Sequence, residues 1–283
     1  MKLIVKNEGE LLDYLYNNLD IPKKRIKQYL THGSIYVNNS RVKQYNYKLF
    51  PGMIIVIDTD SKNKKSLPFD IVFEDDNIIV VNKPSGLLTI STSKEKERTL
   101  FHIVREYLVS KDKNSKVFIV HRLDKDTSGI VILAKNEKIK KQLQDNWNEF
   151  VSLREYVAVV HGHLKKKNDR IVQMLSETKT NLVYVSKKDD AKEAITNYKV
   201  IKENVDYSLV NINIETGRKN QIRVAFNSLG NPILGDKKYS NIKDGLNRLY
   251  LHANRLKMYY PIIKKDILFE VANPSEFKKI MEQ

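Results

Sequence analysis

The sequence contains no cysteine, which excludes disulfides, thiolate metal sites and a cysteine nucleophile. No run of about 18 apolar residues occurs, and Met1 to Glu8 lack the apolar core of a secretion signal, so the chain reads as a soluble cytoplasmic protein. The ten glycines are scattered, leaving no glycine-rich phosphate loop, and no internal repeat is visible. Of the six histidines only His161 and His163 lie close together, without the spacing of a helical ligand pair, so no metal site is expected. Acidic residues are scarce: 34 of them against 50 Lys and Arg leave a formal charge of +16. That surplus favours a polyanionic partner, nucleic acid ahead of an anionic membrane surface. With 283 residues, 41% of them hydrophobic, the chain can bury one substantial core plus a small accessory domain.

A small unit is expected over residues 1–60. Leu11, Leu12, Leu15 and Leu19 recur at helical spacing before the stop Asp20-Ile21-Pro22, and Lys23 to Leu30 reads as a second helix. Strand-like pieces follow at Ser34 to Val37 and Met53 to Ile57, with Asn38-Asn39 as a turn. From Ile21 to Lys48 the chain carries Lys23, Lys24, Arg25, Lys27, Arg41, Lys43 and Lys48 and no acidic residue, with Tyr29, Tyr36, Tyr45 and Tyr47 interleaved. Such a face suits phosphate contacts and base stacking. Residues 61–68 have the polar, proline-ended composition of a linker. The remainder, 69–283, alternates long strands with few helices: a hairpin at Ile71 to Val81, a helix capped by Thr99, another over Lys138 to Phe150, and a strand of period two over Ser208 to Thr216. A helix is also expected over Lys219 to Leu229. This pattern argues α+β with a mixed or antiparallel sheet.

The stretch His121-Arg122-Leu123-Asp124-Lys125-Asp126-Thr127-Ser128-Gly129 lies between the apolar runs Val117 to Val120 and Ile130 to Ala134. It is a charged loop between buried strands, either a catalytic loop or a turn whose polar residues only satisfy the backbone. Without metal or thiol, Asp124 and Asp126 supply carboxylates and Arg122 a permanent cation. A carboxylate suits attack at a sugar C1' centre, where the transition state is cation-like, or proton abstraction.

Those nine residues resemble the signature of the RluA-type pseudouridine synthases, which isomerise uridine in structured RNA. Family-like pieces follow in order: Asn82-Lys83-Pro84-Ser85-Gly86, Arg154-Glu155-Tyr156-Val157-Ala158, Glu215-Thr216-Gly217-Arg218-Lys219-Asn220-Gln221-Ile222-Arg223, Gly235-Asp236 and Leu251-His252-Ala253. The first unit, with His32-Gly33-Ser34-Ile35-Tyr36-Val37-Asn38, is similar to the S4 RNA-binding module. The resemblance implies a pseudouridine-synthase domain with a mixed, mainly antiparallel sheet behind a small α/β S4-like domain. It implies Asp124 as the catalytic aspartate, by attack on C1', attack on the base or proton abstraction. Tyr156 would lie against the base and Arg223 would pair with the aspartate. Arg122 would fill the gap left by a flipped uridine, while Lys83 and Arg218 would join the basic residues of the first unit in holding RNA. His121 and Asp126 would shape the loop, and Asp126 to Gly129 would form its turn. Family members usually carry a small hydroxyl residue and a histidine where this chain has Lys219-Asn220, and often a histidine at Ala225, which bears on target choice. The expected substrate is 23S rRNA, with tRNA as the alternative, acted on by a monomer without a cofactor. A non-catalytic S4-type RNA-binding or ribosome-assembly protein is the competing class.

Overall fold

A computed structural model describes residues 1–31, 33–38, 40–57, 67–92, 95 and 97–283, apart from the side chains of Ser40 and Arg41. His32, Asn39 and most of the expected linker, residues 61–66, lie outside the described residues. The chain divides into two units, Met1–Leu67 and Pro68–Gln283. Among the described residues no helix is long and apolar enough to cross a membrane.

In the first unit β1 (Lys2–Ile4), β2 (Gly9–Glu10), α1 (Leu11–Asn18), α2 (Lys23–Thr31), β3 (Ile35–Val37), β4 (Ser40–Arg41), β5 (Lys48–Leu49) and β6 (Ile54–Ile57) follow one another. The sheet order is β1-β6-β3-β4, with β2 and β5 forming a separate pair. Leu11 and Leu15 of α1 meet Ile26, Tyr29 and Leu30 of α2 over Ile35, Val37, Ile55 and Ile57, which is where helical spacing and strand alternation direct them. Tyr29 is fully buried in this core, so it is not a stacking platform. Lys23, Lys24, Arg25 and Lys27 stay exposed on α2, as does Lys43 beyond it.

The second unit is built on one sheet. Its elements are β7 (Ile71–Glu74), β8 (Ile78–Lys83), α3 (Leu100–Lys111), β9 (Phe118–Ile119), β10 (Ser128–Ala134), α4 (Glu137–Asp145), α5 (Trp147–Phe150), β11 (Val151–His161), β12 (Asn168–Glu177), β13 (Val183–Val185), β14 (Lys192–Glu203), β15 (Tyr207–Ile214), α6 (Gln221–Ser228), β16 (Leu251–Tyr260), β17 (Lys265–Glu270) and α7 (Ser275–Ile280). The order is β13-β12-β14-β15-β11-β16-β10-β8-β7, with β17 beside β16 and β9 beside β10. Every ladder in it is antiparallel except β10 with β16, so the sheet is mixed, as the strand pattern suggested. All of β10 is buried: Ile130, Ile132 and Ala134 face α4, and Val131 and Leu133 face α3. Cover on both faces explains the unbroken apolar run, each such side chain contributing roughly 1.5–3 kcal/mol.

Three expectations change in detail. The apolar run at Val117 to Val120 yields only two strand residues, because β9 pairs with β10 solely at its far end. The helix expected over Lys138 to Phe150 divides at Asn146, whose side chain caps the end of α4 by bonding back to Gln142. The helix expected from Lys219 starts at Gln221, because Asn220 is left-handed at φ 53°. Strands β12 and β13 were not foreseen at all.

Candidate active site

The loop between β9 and β10 is held from beneath by the chain that follows β8. Lys83, at the end of β8, is fully buried and its ammonium donates to the carbonyls of Pro84 (3.0 Å), Leu87 (2.7 Å) and Lys125 (3.0 Å). Ser85 Oγ donates to Asp126 O (2.6 Å), Gly86 N–H to Lys125 O (3.0 Å) and Thr89 Oγ1 to Leu123 O (2.7 Å). The carbonyls on either side of Asp124 are therefore satisfied, and its half-buried carboxylate is left for other work. Lys83 is thus a correction: it cannot reach a phosphate, because all three of its protons are spent on main-chain carbonyls inside the protein. Burial pushes its pKa down to about 7, against the opposing charges of Asp126 and Asp124.

The far end of the loop is a strand rather than a turn. Ser128 and Gly129 open β10 and pair in parallel with His252 and Ala253. Ser128 Oγ lies 2.8 Å from His252 Nδ1 and accepts a hydrogen bond from Arg248 Nη2 at 2.8 Å. Gly129 has φ +119°, and a Cβ there would stand 2.1 Å from the Ala253 carbonyl oxygen, so no side chain fits. Only Lys125 and Asp126 bend the chain. His121 is structural: its Nε2 accepts the Ile132 N–H (3.1 Å) and its ring lies 4.7 Å from that of Trp147. Burial, with the nearby charge of Arg154, lowers its pKa to about 3, which keeps it neutral.

Two further elements complete the site. β11, clamped between β15 and β16, delivers Tyr156, whose Cα partners are Ile212 and Ala253. Burial raises the Tyr156 phenol to about 12, with the Asp124 charge adding to the effect and Arg154 opposing it. α6 delivers Arg223, which is 5% exposed and forms a two-pronged ion pair with Asp236 (Nε–Oδ2 2.8 Å, Nη2–Oδ1 2.5 Å). Asn220 Oδ1 accepts from Nη1 at 3.4 Å, and the Tyr239 ring lies 5.1 Å away. The partner of Arg223 is therefore Asp236, thirteen residues on, and Asp124 acts on it only through space. Burial would lower the Arg223 pKa, but Asp236 first, then Asp124 and Asp126, hold it raised.

A cleft of about 270 Å³ brings Arg122, Asp124, Tyr156, Arg218, Lys219 and Arg223 to one place. Arg122 is exposed at its edge. Arg218 is also exposed, with its Nε on the Glu193 carbonyl (2.9 Å). The wall after β15 is braced by Gln221, which accepts from Thr216 Oγ1 (2.8 Å) and from Arg218 N–H (3.0 Å) and donates to Ile195 O (2.8 Å). Arg154 donates to the Glu215 carbonyl. Lys219 and Asn220 line the cleft, whereas Ala225 is core. Lys23, Lys24, Arg25, Lys27 and Lys43 belong to the other unit, and the side chain of Arg41 lies outside the described residues. Asp236, Arg154 and Gln221 were not singled out from the sequence; their places inside family-like stretches were the only signal.

Residues 77–228 match the family model for RNA pseudouridylate synthase. A Bacillus subtilis (strain 168) protein named uncharacterized RNA pseudouridine synthase YhcT is 30% identical, over 97% of this chain and 93% of its own length. Ribosomal large subunit pseudouridine synthase C of Buchnera aphidicola subsp. Baizongia pistaciae is 31% identical, over 93% and 89% respectively. Among solved structures, human RNA pseudouridylate synthase domain containing 4 shares the fold, with a TM-score of 0.61 at 23% identity over 74% of this chain and 90% of that one. With the matched segment running from β8 through α6, and so across the loop of Asp124, Tyr156 and Arg223, the chain belongs to the RNA pseudouridylate synthase family and is an RNA uridine isomerase.

Proposed function

We propose that this enzyme isomerises uridines of 23S rRNA and that Asp124 is its catalytic aspartate. The observation that carries the reading is the half-buried Asp124 carboxylate on the cleft, its neighbouring carbonyls already bonded, with Tyr156 and the Arg223–Asp236 pair around it. The target uridine leaves its stack to enter the cleft, which costs a few kcal/mol that backbone contacts offset. Arg122, exposed at the edge, fills the space it vacates. Asp124 initiates cleavage of the bond between uracil N1 and C1', the base turns, and C5 joins C1'. The C5 proton is lost and N1 gains one, so nothing is consumed. Tyr156 packs against the base as a neutral phenol and Arg223 keeps the local field favourable to an ionised carboxylate. The +16 charge and the exposed basic side chains of α2 support an RNA-holding, S4-like role for the first unit. The choice of rRNA follows relatives named as ribosomal large subunit enzymes.

The test is to incubate wild type and Asp124→Asn with 23S rRNA and tRNA transcripts and to map pseudouridine chemically. Wild type is expected to modify 23S rRNA, and Asp124→Asn to bind it without product. Equal product from both would remove Asp124 from the mechanism, and product confined to tRNA would overturn the substrate.

A further inference from the structure

The cations at the rim of the cleft are not evenly matched. Arg223 is balanced by Asp236, and Lys219 donates to a carboxylate oxygen of Glu177. Lys238 donates to the Asn181 main-chain carbonyl at 2.7 Å, and no carboxylate lies within ion-pair distance of it among the described residues. Lys219 also donates to Asn181 Oδ1 at 2.9 Å. One asparagine thus receives two ammonium groups. It sits at the tip of the β12–β13 hairpin in a left-handed conformation (φ 66°), its own N–H bonded to Thr178 O at 2.9 Å. Tyr239 fastens the same hairpin to the cleft floor, its hydroxyl accepting from Val183 N–H (3.2 Å) and Asn220 Nδ2 (2.9 Å). Burial, followed by the charges of Lys219 and Arg223, lowers the Lys238 pKa, against the opposing charges of Asp124 and Glu177.

The Glu177 pair is a weak hold. Its side chains are 41% exposed for Glu177 and 34% for Lys219, and pairs this exposed are screened by water and contribute little. A phosphate forms a charge-assisted bond of at least equal strength and can replace that carboxylate at little cost. We propose that Lys219 and Lys238 form a phosphate subsite for the RNA backbone next to the target uridine, with Glu177 holding Lys219 until RNA displaces it. Lys219 lines the same cleft as Asp124, so a nucleotide seated at Asp124 brings its flanking phosphate to this rim. The subsite rests on the reading of Asp124 as the catalytic group.

The experiment titrates in vitro transcribed 23S rRNA against wild type, Lys219→Gln, Lys238→Gln and Glu177→Gln at several KCl concentrations, and then measures steady-state turnover. Each lysine variant is expected to flatten the slope of log affinity against log salt by about 1 and to raise KM several-fold more than it lowers kcat. Glu177→Gln is expected to tighten binding, since the competing carboxylate is gone. Unchanged slopes in both lysine variants would overturn the subsite. So would a Glu177→Gln protein that binds as weakly as Lys219→Gln, because the pair would then serve only to hold the hairpin. Repeating the titrations in the Asp124→Asn background keeps the two readings apart. Product from Asp124→Asn with altered lysine slopes fails the catalytic assignment alone, and inactive Asp124→Asn with unaltered slopes fails the subsite alone.

Discussion

His121 accepts a main-chain N–H in the core and His252 lies against Ser128 under the Asp124 loop, so both bear on how the site meets acid. Burial first, and then Arg154 and Arg248 respectively, bring them down to about 3 and about 4 from 6.5. Between those values and 6.5 the unfolded chain binds more protons than the folded one, so the two histidines contribute stability that is present above 6.5 and lost as the pH falls through the folded values. A scan of unfolding midpoint against pH should show wild type weakening below about 6.5, by on the order of a few kcal/mol at the acid end. His121→Gln, which leaves nothing to protonate, should weaken less steeply, and identical curves would remove His121 from the effect. The same scale shows why some residues were legible and others not. Asp124, Tyr156 and Arg223 were found as members of characteristic stretches, and the cleft brings them together. Lys83 was misread because a lysine in a turn normally faces water, and only the fold reveals three carbonyls converging on its ammonium. Asp236 was invisible as the partner of Arg223 because it stands thirteen positions further along, across helix and loop, a spacing no helical or strand period marks.

At the scale of elements, the Asp124 loop is a piece of chain clamped between the turn after β8 and the start of β16. The second clamp depends on Gly129. Gly129→Ala would bring a Cβ to 2.1 Å from the Ala253 carbonyl and impose a φ of +119° on an L side chain. It should cost several kcal/mol, on the order of 4 or more, and yield insoluble protein or a much lower melting temperature. Gly86→Ala, with φ +83° but open space around its Cβ, should cost only about 1–2 kcal/mol. Similar losses from both would mean that backbone conformation, not the β10–β16 contact, sets the requirement. Strands covered on both faces, such as β10, and strands covered on one, such as β15 with its strict alternation, were readable from hydrophobic pattern. β12 was not, because Val172 and Met174 stand exposed on it and Asp169 and Arg170 interrupt its run. A strand flanked by the three-residue β13 has too little buried surface to impose a period.

For the whole molecule, the division into Met1–Leu67 and Pro68–Gln283 falls at a change in composition, where the polar, charged run of residues 61–68 ends in a proline. All the residues proposed for the chemistry lie in the second unit. A chain beginning at Pro68 should therefore still form pseudouridine at high RNA concentration, with weaker binding and a shallower salt dependence, since the exposed cations of α2 are removed. Affinity and salt slope equal to those of the full chain would deny the first unit its role in holding RNA. One feature of the sheet also orders events in time. Its single parallel pair joins Ser128 to His252 across 124 residues of chain, and contacts of such long range form late because loop closure must precede them. During synthesis the strand that carries His252 and Ala253 emerges long after the Asp124 loop, and until it docks that loop has only one of its two clamps. Activity is therefore expected to appear only with the docking of that strand, and not with the earlier folding of β8 and β10.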